Sequence, residues 1–570
     1  MLNLALTRIV VKSYHLNFIL IAVATVISLV ISPVSAQKIP RNQFPASEEP
    51  IQPTQKKPPS SPETSPARET NETVTITIDR FEFRGNSAFS DAQLNDLVAD
   101  YLQRPLTFPE LLTVEQIITD EYTKAGYINS GAVIPADQTF AATGGVVEII
   151  ILEGEIEQLI VTGTERLKTG YVRDRVAQAT RSPFNQQQLL KALQLLQLNP
   201  LIKTVSAELS AGVRPQASIL EVTIEEANPF QATVFTDNGR SPSVGSWRRG
   251  ITLNHGNLLG FGDHAFLAYT NTDGSDSLDS SYTFPLNSRN GTLTLAGGFN
   301  NTEVVEPPFD QLDIIGDSLY LDLSVRQPLV LKPTEEFALG ITASWQRSET
   351  ALLGENFPLS RGADEEGITR ISTIRFFQDW TKRNPRDVIA LRSQFSLGID
   401  AFDATINKDN LPDGRFFAWR GQAQYVRLLA QDTLFVLRSD LQLAGDELVP
   451  LEQIGVGGFR SVRGYRQDTL LTDSAFFATA EVRLPVLRVR NLEGVLQIVP
   501  FIDFGVGWNH GDSLDPDPNS LVGLGLGLNW QMGNQLNARL DYGIPLTDID
   551  QRDRTLQEEG IYFSVNYTPF

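Results

Sequence analysis

Two short stretches place charge and glycine where a narrow, water-accessible space would need them. The first runs from Gly455 to Asp468, GVGGFRSVRGYRQD. Gly455, Gly457, Gly458 and Gly464 permit positive φ and let the backbone approach a wall closely. Val462, Arg463, Gly464 and Tyr465 then form the tip of a loop. The second stretch is FIDFG, where Phe501, Asp503 and Gly505 fall two apart and share one face of a strand. Asp503 therefore points where lipid cannot be, and Arg463 is its natural counter-ion. The chemistry on offer is not bond-making but an ion pair that pins a loop. Removing one member of a buried pair costs ~3–5 kcal/mol, because the other charge stays behind unpaired.

Nothing else in the chain reads as a reactive centre. The four histidines are His15, His255, His264 and His510, and cysteine is absent, so neither a zinc site nor a thiol nucleophile is supported. There is no G-x-S-x-G elbow and no Walker loop. The acidic run Asp364-Glu365-Glu366 falls in an expected surface loop and reads as solvation. No catalytic residue, metal or cofactor is expected.

The elements that position the two motifs lie between residues 228 and 570. This region shows dyad-alternating segments broken by Gly, Asn, Asp and Pro, with no convincing helix. About sixteen segments follow one another, from 230–237 to 560–570, and an even count of strands near ~10 residues suits a closed antiparallel membrane barrel. Short turns are expected near Gly260, Ser288, Asn384, Ala430 and Asn534, and long connections at 348–369, 446–472 and 547–559. If the first strand rises from the periplasm, every long connection is extracellular, as outer-membrane barrels prefer. In the last segment Ile561, Phe563, Val565 and Tyr567 share a face before the chain reaches Phe570.

The N-terminal part is organised differently. Leu16 to Val34 is continuously apolar, follows Arg8 and Lys12, and leads to Val34-Ser35-Ala36. It reads as a secretory signal peptide spanning 1–36, an uncleaved anchor being the alternative. Residues 37–72 hold prolines at 40, 45, 50, 53, 58, 59, 62 and 66 and read as a disordered linker, without a long helix. Residues 73–154 then run strand, helix, helix, strand, strand. Ser90 or Asp91 is expected to cap the first helix, and Thr113 to open the second. Residues 155–227 repeat that plan, with Gly163 answering Gly85 and QQQLLKALQLLQLNP as the clear helix. An open sheet edge in such a unit can accept an extended chain through main-chain hydrogen bonds. The second unit, with a groove at Leu189, Leu193 and Leu196, is the expected dock, though those leucines fit a core better than a binding surface.

V-R-G-Y followed by F-x-D-x-G resembles the signatures of two-partner secretion outer-membrane transporters (TpsB), the haemolysin-activator family of ShlB/FhaC/HecB. The phrase YTKAGYINSGAVIPAD and the repeated plan resemble that family's paired POTRA domains. DNGR (Asp237 to Arg240) and NLLGFGD (Asn257 to Asp263) are similar to phrases of its barrel. The resemblance implies a sixteen-stranded barrel at 228–570, preceded by two POTRA-like domains. It also implies a loop held inside the pore through Val462, Arg463, Gly464 and Tyr465 against Phe501, Asp503 and Gly505. The terminal aromatic resembles the signal read by the barrel assembly machinery, although Pro569 breaks the phase.

The expected function is secretion of one large partner, of the haemolysin or filamentous-adhesin type, unfolded through the outer membrane to the cell surface. The alternative is a factor that inserts other barrels; a passive porin fits poorly with the periplasmic repeats. The net charge of −21 argues against nucleic acid as a partner, and the outer membrane's lipid is the expected surroundings of the barrel.

Overall fold

A computed structural model describes residues 7–10, 75–138, 145–408, 411–511, 513–549 and 554–569. The linker at 37–72, most of the expected signal peptide and Phe570 lie outside the described residues. Of residues 1–36 only the strand β1 (Thr7–Val10) is described.

The first unit contains strands β2 (Thr75–Arg84), β3 (Pro105–Thr107), β4 (Gly131–Val133) and β5 (Gly145–Leu152), in the sheet order β3-β2-β5-β4. Helix α1 (Asp91–Leu97) starts at Ser90, whose hydroxyl accepts from the Gln93 N–H while the Gln93 side chain accepts from the Ser90 N–H. Helix α2 (Phe108–Lys124) opens one and a half turns before Thr113, which corrects the sequence reading. Thr107 and Glu110 form a second capping box here, with Pro109 in the first turn, and Thr113 merely donates back to the Pro109 carbonyl. The Thr107 N–H, helped by Arg104 beside it, holds the Glu110 carboxyl down at about 2. Val114, Ile118 and Tyr122 from α2 pack on Phe81, Val147 and Ile149 of the sheet, at the helical and strand periods that define one face of each.

The second unit holds β6 (Glu155–Thr162), β7 (Ile202–Ala211) and β8 (Ala217–Glu226), with β6 parallel to β8. Helix α4 (Gln186–Gln197) is capped by Asn185. A shorter helix, α3 (Thr169–Val176), buries only Val172 and Val176, and a signal that weak escaped the sequence reading. The sheet order is β1-β7-β8-β6, so β7 is the outermost of the unit's own strands and β1 covers it antiparallel, from Thr7 opposite Leu209 to Val10 opposite Ser206. The two units meet where Asn185 and Gln186 donate to the Ala125 and Gly126 carbonyls.

Sixteen antiparallel strands then close on themselves. They are β9 (Phe230–Asp237), β10 (Arg248–His255), β11 (His264–Asn271), β12 (Ser275–Pro285), β13 (Thr292–Glu303), β14 (Ile315–Lys332), β15 (Glu335–Leu352) and β17 (Ile368–Arg383). The second half comprises β18 (Asp387–Ile399), β19 (Phe417–Ala430), β20 (Thr433–Ala444), β23 (Ser474–Val489), β24 (Gly494–Trp508), β25 (Ser520–Met532), β26 (Leu536–Pro545) and β27 (Ile561–Tyr567). The two-residue strand β16 (Glu355–Asn356) lies outside the wall, against the end of β15. Outward side chains such as Leu267, Leu295, Phe299 and Leu526 are exposed and apolar, whereas the inward face mixes polar and charged residues such as Asp503, Asn529 and Asp541 with apolar ones such as Phe377 and Phe501. The wall is closed by β27 on β9 through four residue pairs, from Ser564 opposite Asp237 to Tyr567 opposite Val234. Asn238 of DNGR extends this seam, donating to the Ile561 carbonyl and accepting from the Phe563 N–H.

Short turns gather at the end that carries the two N-terminal units, and long connections at the far end. The second unit is fastened to the short turns. Lys168 N–H donates to the Gly260 carbonyl, Arg175 to Asn290 and Gln178 to Ser288. Gly262 is required there, because a Cβ would enter the Tyr171 ring.

Candidate functional site

The connection from β20 to β23 does not stand above the barrel but folds into it. A ribbon of β21 (Ile454–Val456) and β22 (Leu470–Thr472) starts the descent, an element that the glycine-rich sequence did not announce. Gly457, Gly458 and Gly464 have φ of 119°, 89° and 105°, as their residue type anticipated. Gly455 departs from that expectation. It sits in the extended ribbon, and its lack of a side chain makes room for the Asp468 carboxylate.

At the tip Arg463 is 3% exposed and Asp503 fully buried. The guanidinium is forked on this carboxylate, Nε to Oδ2 at 2.7 Å and Nη2 to Oδ1 at 2.8 Å, and the Arg463 N–H adds a third bond at 3.0 Å. A planar fork matches a carboxylate in this way and a lysine cannot. Phe501 lies flat beneath, with the Arg463 Cζ 3.3 Å from its ring centroid. Gly505 leaves the space that Val456 and Val462 fill, so the three alternate residues of FIDFG serve as platform, counter-ion and gap. Val462 and Tyr465 are fully buried. The Tyr465 hydroxyl donates to the Val522 carbonyl and accepts from the Thr547 N–H, and the Tyr562 hydroxyl accepts from the Gly464 N–H.

Five further wall residues belong to the site and were missed in the sequence. Asp541 accepts from Arg463 Nη1 at 3.0 Å, and Glu481 lies 3.6 Å from the same nitrogen. Arg539 bridges Glu481 and Asp541, while Arg483 takes the other oxygen of Glu481. The signal was present, since Arg539 and Asp541 alternate inward within a strand whose other face is apolar. The Arg438 Nε and Nη2 have no hydrogen-bond partner, although Glu481 is within electrostatic reach. Four guanidinium groups thus surround three carboxylates. Nearer the far end, Arg466 joins Glu306 and Glu558 on two other loops, at 2.9 and 3.3 Å.

The leucines proposed as a partner groove are placed differently. Leu189, Leu193 and Leu196 are 1%, 0% and 2% exposed, in one core with Val172, Val205 and Leu220. The same 3.6-residue stripe that suggested a groove is the face α4 turns to its own sheet, so no partner reaches it while the unit is folded.

The sequence model of the haemolysin secretion/activation protein ShlB/FhaC/HecB family matches residues 216–530, and that of the ShlB-type POTRA domain matches 76–154. The chain belongs to the ShlB/FhaC/HecB family. It is 24% identical over 504 residues to the outer membrane transporter CdiB of Escherichia coli O6:K15:H31 (strain 536 / UPEC), covering 86% of this chain and 82% of that protein. To the heme/hemopexin transporter protein HuxB of Haemophilus influenzae (strain 86-028NP) it is 20% identical over 490 residues, covering 83% and 84%. Among solved structures, CdiB from Escherichia coli superposes with a TM-score of 0.67 at 21% identity, over 89% of this chain and 92% of that one. BamA from Haemophilus ducreyi lacking POTRA domains 1-3 gives 0.52 at 13% identity, over 87% and 100%, a likeness of fold. For this family member the wall is an outer-membrane barrel, its short turns and POTRA units are periplasmic, and the long loops are extracellular.

Proposed function

We propose that this protein captures one exported polypeptide in the periplasm and passes it, unfolded, through its own lumen to the cell surface. The observation that carries this reading is the folded-in loop: a closed wall whose interior is polar and is filled at rest by a tip tied to it through Arg463. The tip is also packed through Val456, Val462 and Tyr465 against Leu521 of the wall, but its charged and hydrogen-bonded contacts are ones that water and an incoming chain can replace. In this reading 1–36 is a leader removed on export, 37–72 a tether, and 73–227 the receiving arm.

Capture is assigned to the edge of β7. This edge is straight enough to take β1 over four residue pairs, and removal of the leader would leave it open. Main-chain pairing supplies affinity with little demand on sequence, which suits an unfolded client. By analogy with the haemolysin family the client is a large surface or released exoprotein. No catalytic step is part of the proposal.

The barrel-insertion reading draws on one observation, the four-pair seam between β27 and β9. The chain has no cysteine, so Thr236→Cys with Val565→Cys, opposite each other in the seam, makes a clean lock. Secretion through the lumen survives the lock, whereas insertion through the seam stops. Comparing medium, cell surface and outer membrane with and without the gene completes the test. Loss of one large repetitive protein supports the proposal, and depletion of many unrelated barrels overturns it.

A further inference from the structure

The periplasmic rim of the barrel sets exposed apolar side chains beside exposed basic ones. In the turn between β10 and β11, Leu258, Leu259 and Phe261 are 55%, 56% and 41% exposed. Phe261 meets Phe284 of β12 with ring centroids 5.9 Å apart. Phe284 is an outward residue in register with Leu293 on β13, so the patch is continuous with the lipid-facing surface and forms its lower border. Aromatic side chains at that border sit at headgroup depth in outer-membrane barrels.

The second POTRA unit reaches the same border. Its segment Thr164 to Lys168 lies over the turn, with the Lys168 Nζ 3.3 Å from the Phe261 ring centroid. Arg166 and Lys168 are both exposed. Neither has a carboxylate partner among the described residues. Glu226, the nearest acid held by this segment, is occupied by the backbone N–H groups of Glu165, Arg166 and Leu167, and Glu165 is the only acid within the segment. The Lys168 ammonium thus rests over the face of the Phe261 ring, a cation–π contact at the border between apolar and polar surface.

We propose that this rim is a binding site for an anionic phospholipid of the periplasmic leaflet. Leu258 and Leu259 enter the acyl region, Phe261 lies at its border, and Arg166 and Lys168 take the headgroup phosphate. The protein's net charge of −21 makes this cationic pair a local exception, and its place above an apolar border selects a lipid over a free anion or an acidic client segment. Because Lys168 is also bonded to Gly260 through its N–H, a bound lipid would hold the POTRA arm at a fixed height beneath the membrane.

The test uses the full-length protein in nanodiscs that contain either a diazirine-tailed phosphatidylglycerol or a diazirine-tailed phosphatidylcholine, with the cross-links mapped by mass spectrometry. The expected result is severalfold more phosphatidylglycerol than phosphatidylcholine label on peptides spanning 164–171 and 257–263. Arg166→Gln with Lys168→Gln brings the ratio to one, Lys168→Arg preserves it, and Lys191→Gln, on an exposed position of α4, leaves it unchanged. Equal labelling by the two lipids in the unaltered protein overturns headgroup recognition. Absence of label from the turn, or loss of the phosphatidylglycerol preference on adding an acidic peptide but not on altering Arg166 and Lys168, overturns the site itself.

Discussion

Arg438 and Asp503 face the lumen from strands two apart, with only Thr479 between them in register. The Thr479 hydroxyl donates to the Ser461 carbonyl of the inserted loop, and the two free nitrogens of Arg438 lie in the same field as Arg463 and Glu481. In the proposed opening the loop withdraws, so that Arg463 leaves and three guanidinium groups remain for three carboxylates. Arg438, with a side chain long enough to cross one strand, is then the cation available to Asp503.

The first prediction follows from that geometry. Arg438→Ala alone changes the melting of the purified barrel little, since Arg438 makes no hydrogen bond through Nε or Nη2 in the closed state. Combined with Arg463→Ala it destabilises more than the sum of the single changes, with a coupling of ~0.5–3 kcal/mol. A double-mutant cycle by thermal unfolding in detergent decides the matter, and strict additivity removes Arg438 from the role.

A second prediction concerns exchanging the charges of the principal pair. Arg463→Asp costs secretion and loop closure, on the order of 3–5 kcal/mol for an uncompensated buried carboxylate. A simple two-residue picture expects Asp503→Arg to repair it. The structure gives a different outcome, because Asp at 463 would still face Asp541 and Glu481, which Arg463 reaches at 3.0 and 3.6 Å. Rescue by the double exchange is therefore partial, and Asp541→Asn added to it improves secretion further. Full rescue by the pair alone would show that Asp541 and Glu481 do not bear on the loop.

Backbone shape is separable from charge at this tip. Gly464 has φ of 105°, and a Cβ there would lie 2.8 Å from the Pro545 nitrogen and 3.1 Å from the Ile544 carbonyl carbon, neither of which can swing aside. Gly464→Ala is expected to unseat the loop with every charged group still present, the strained φ alone costing ~1–3 kcal/mol. In planar bilayers it raises conductance as Arg463→Ala does. Gly455→Ala disturbs only the Asp468 side chain and leaves conductance closer to that of the unaltered protein.

The barrel was legible in the sequence because its wall must satisfy two rules in every strand, alternation and turn parity, and a lapse in either would expose polar groups to lipid. Arg463 and Asp503 were legible because glycine and charge are out of place in an ordinary strand end and an apolar strand. Asp541 and Glu481 obey the same inward alternation but sit in strands without a distinguishing motif, so nothing singled them out from other lumen residues. The ribbon of β21 and β22 has three residues on each side, too few to show a period. The α4 stripe failed as a guide to partner binding for a related reason: amphipathicity reports that one face is covered, and Leu189, Leu193 and Leu196 are covered by their own domain.

The last prediction concerns acid and the first POTRA unit, which lies outside the membrane. Glu153 accepts from the Ser87 hydroxyl, the Ser87 and Ala88 N–H groups and the Tyr122 hydroxyl, tying the turn after β2 to α2. Burial raises its carboxyl pKa, but the bonds from Ser87, Ala88 and Tyr122 outweigh burial and hold it below the usual range. A carboxylate depressed in the folded state stabilises that state above the unfolded value, ~4.3 for Glu, and this contribution fades as pH falls from there through the folded value. Glu153→Gln should therefore lower the stability of this unit at neutral pH and flatten its decline between neutral and acid conditions. Hydrogen exchange of the β2–α1 turn in the full-length protein, followed from pH 7 to below 4, measures both effects. An unchanged acid profile in the Gln variant would assign the acid sensitivity to other carboxylates, Glu110 first among them, since Thr107 and Arg104 hold it at about 2.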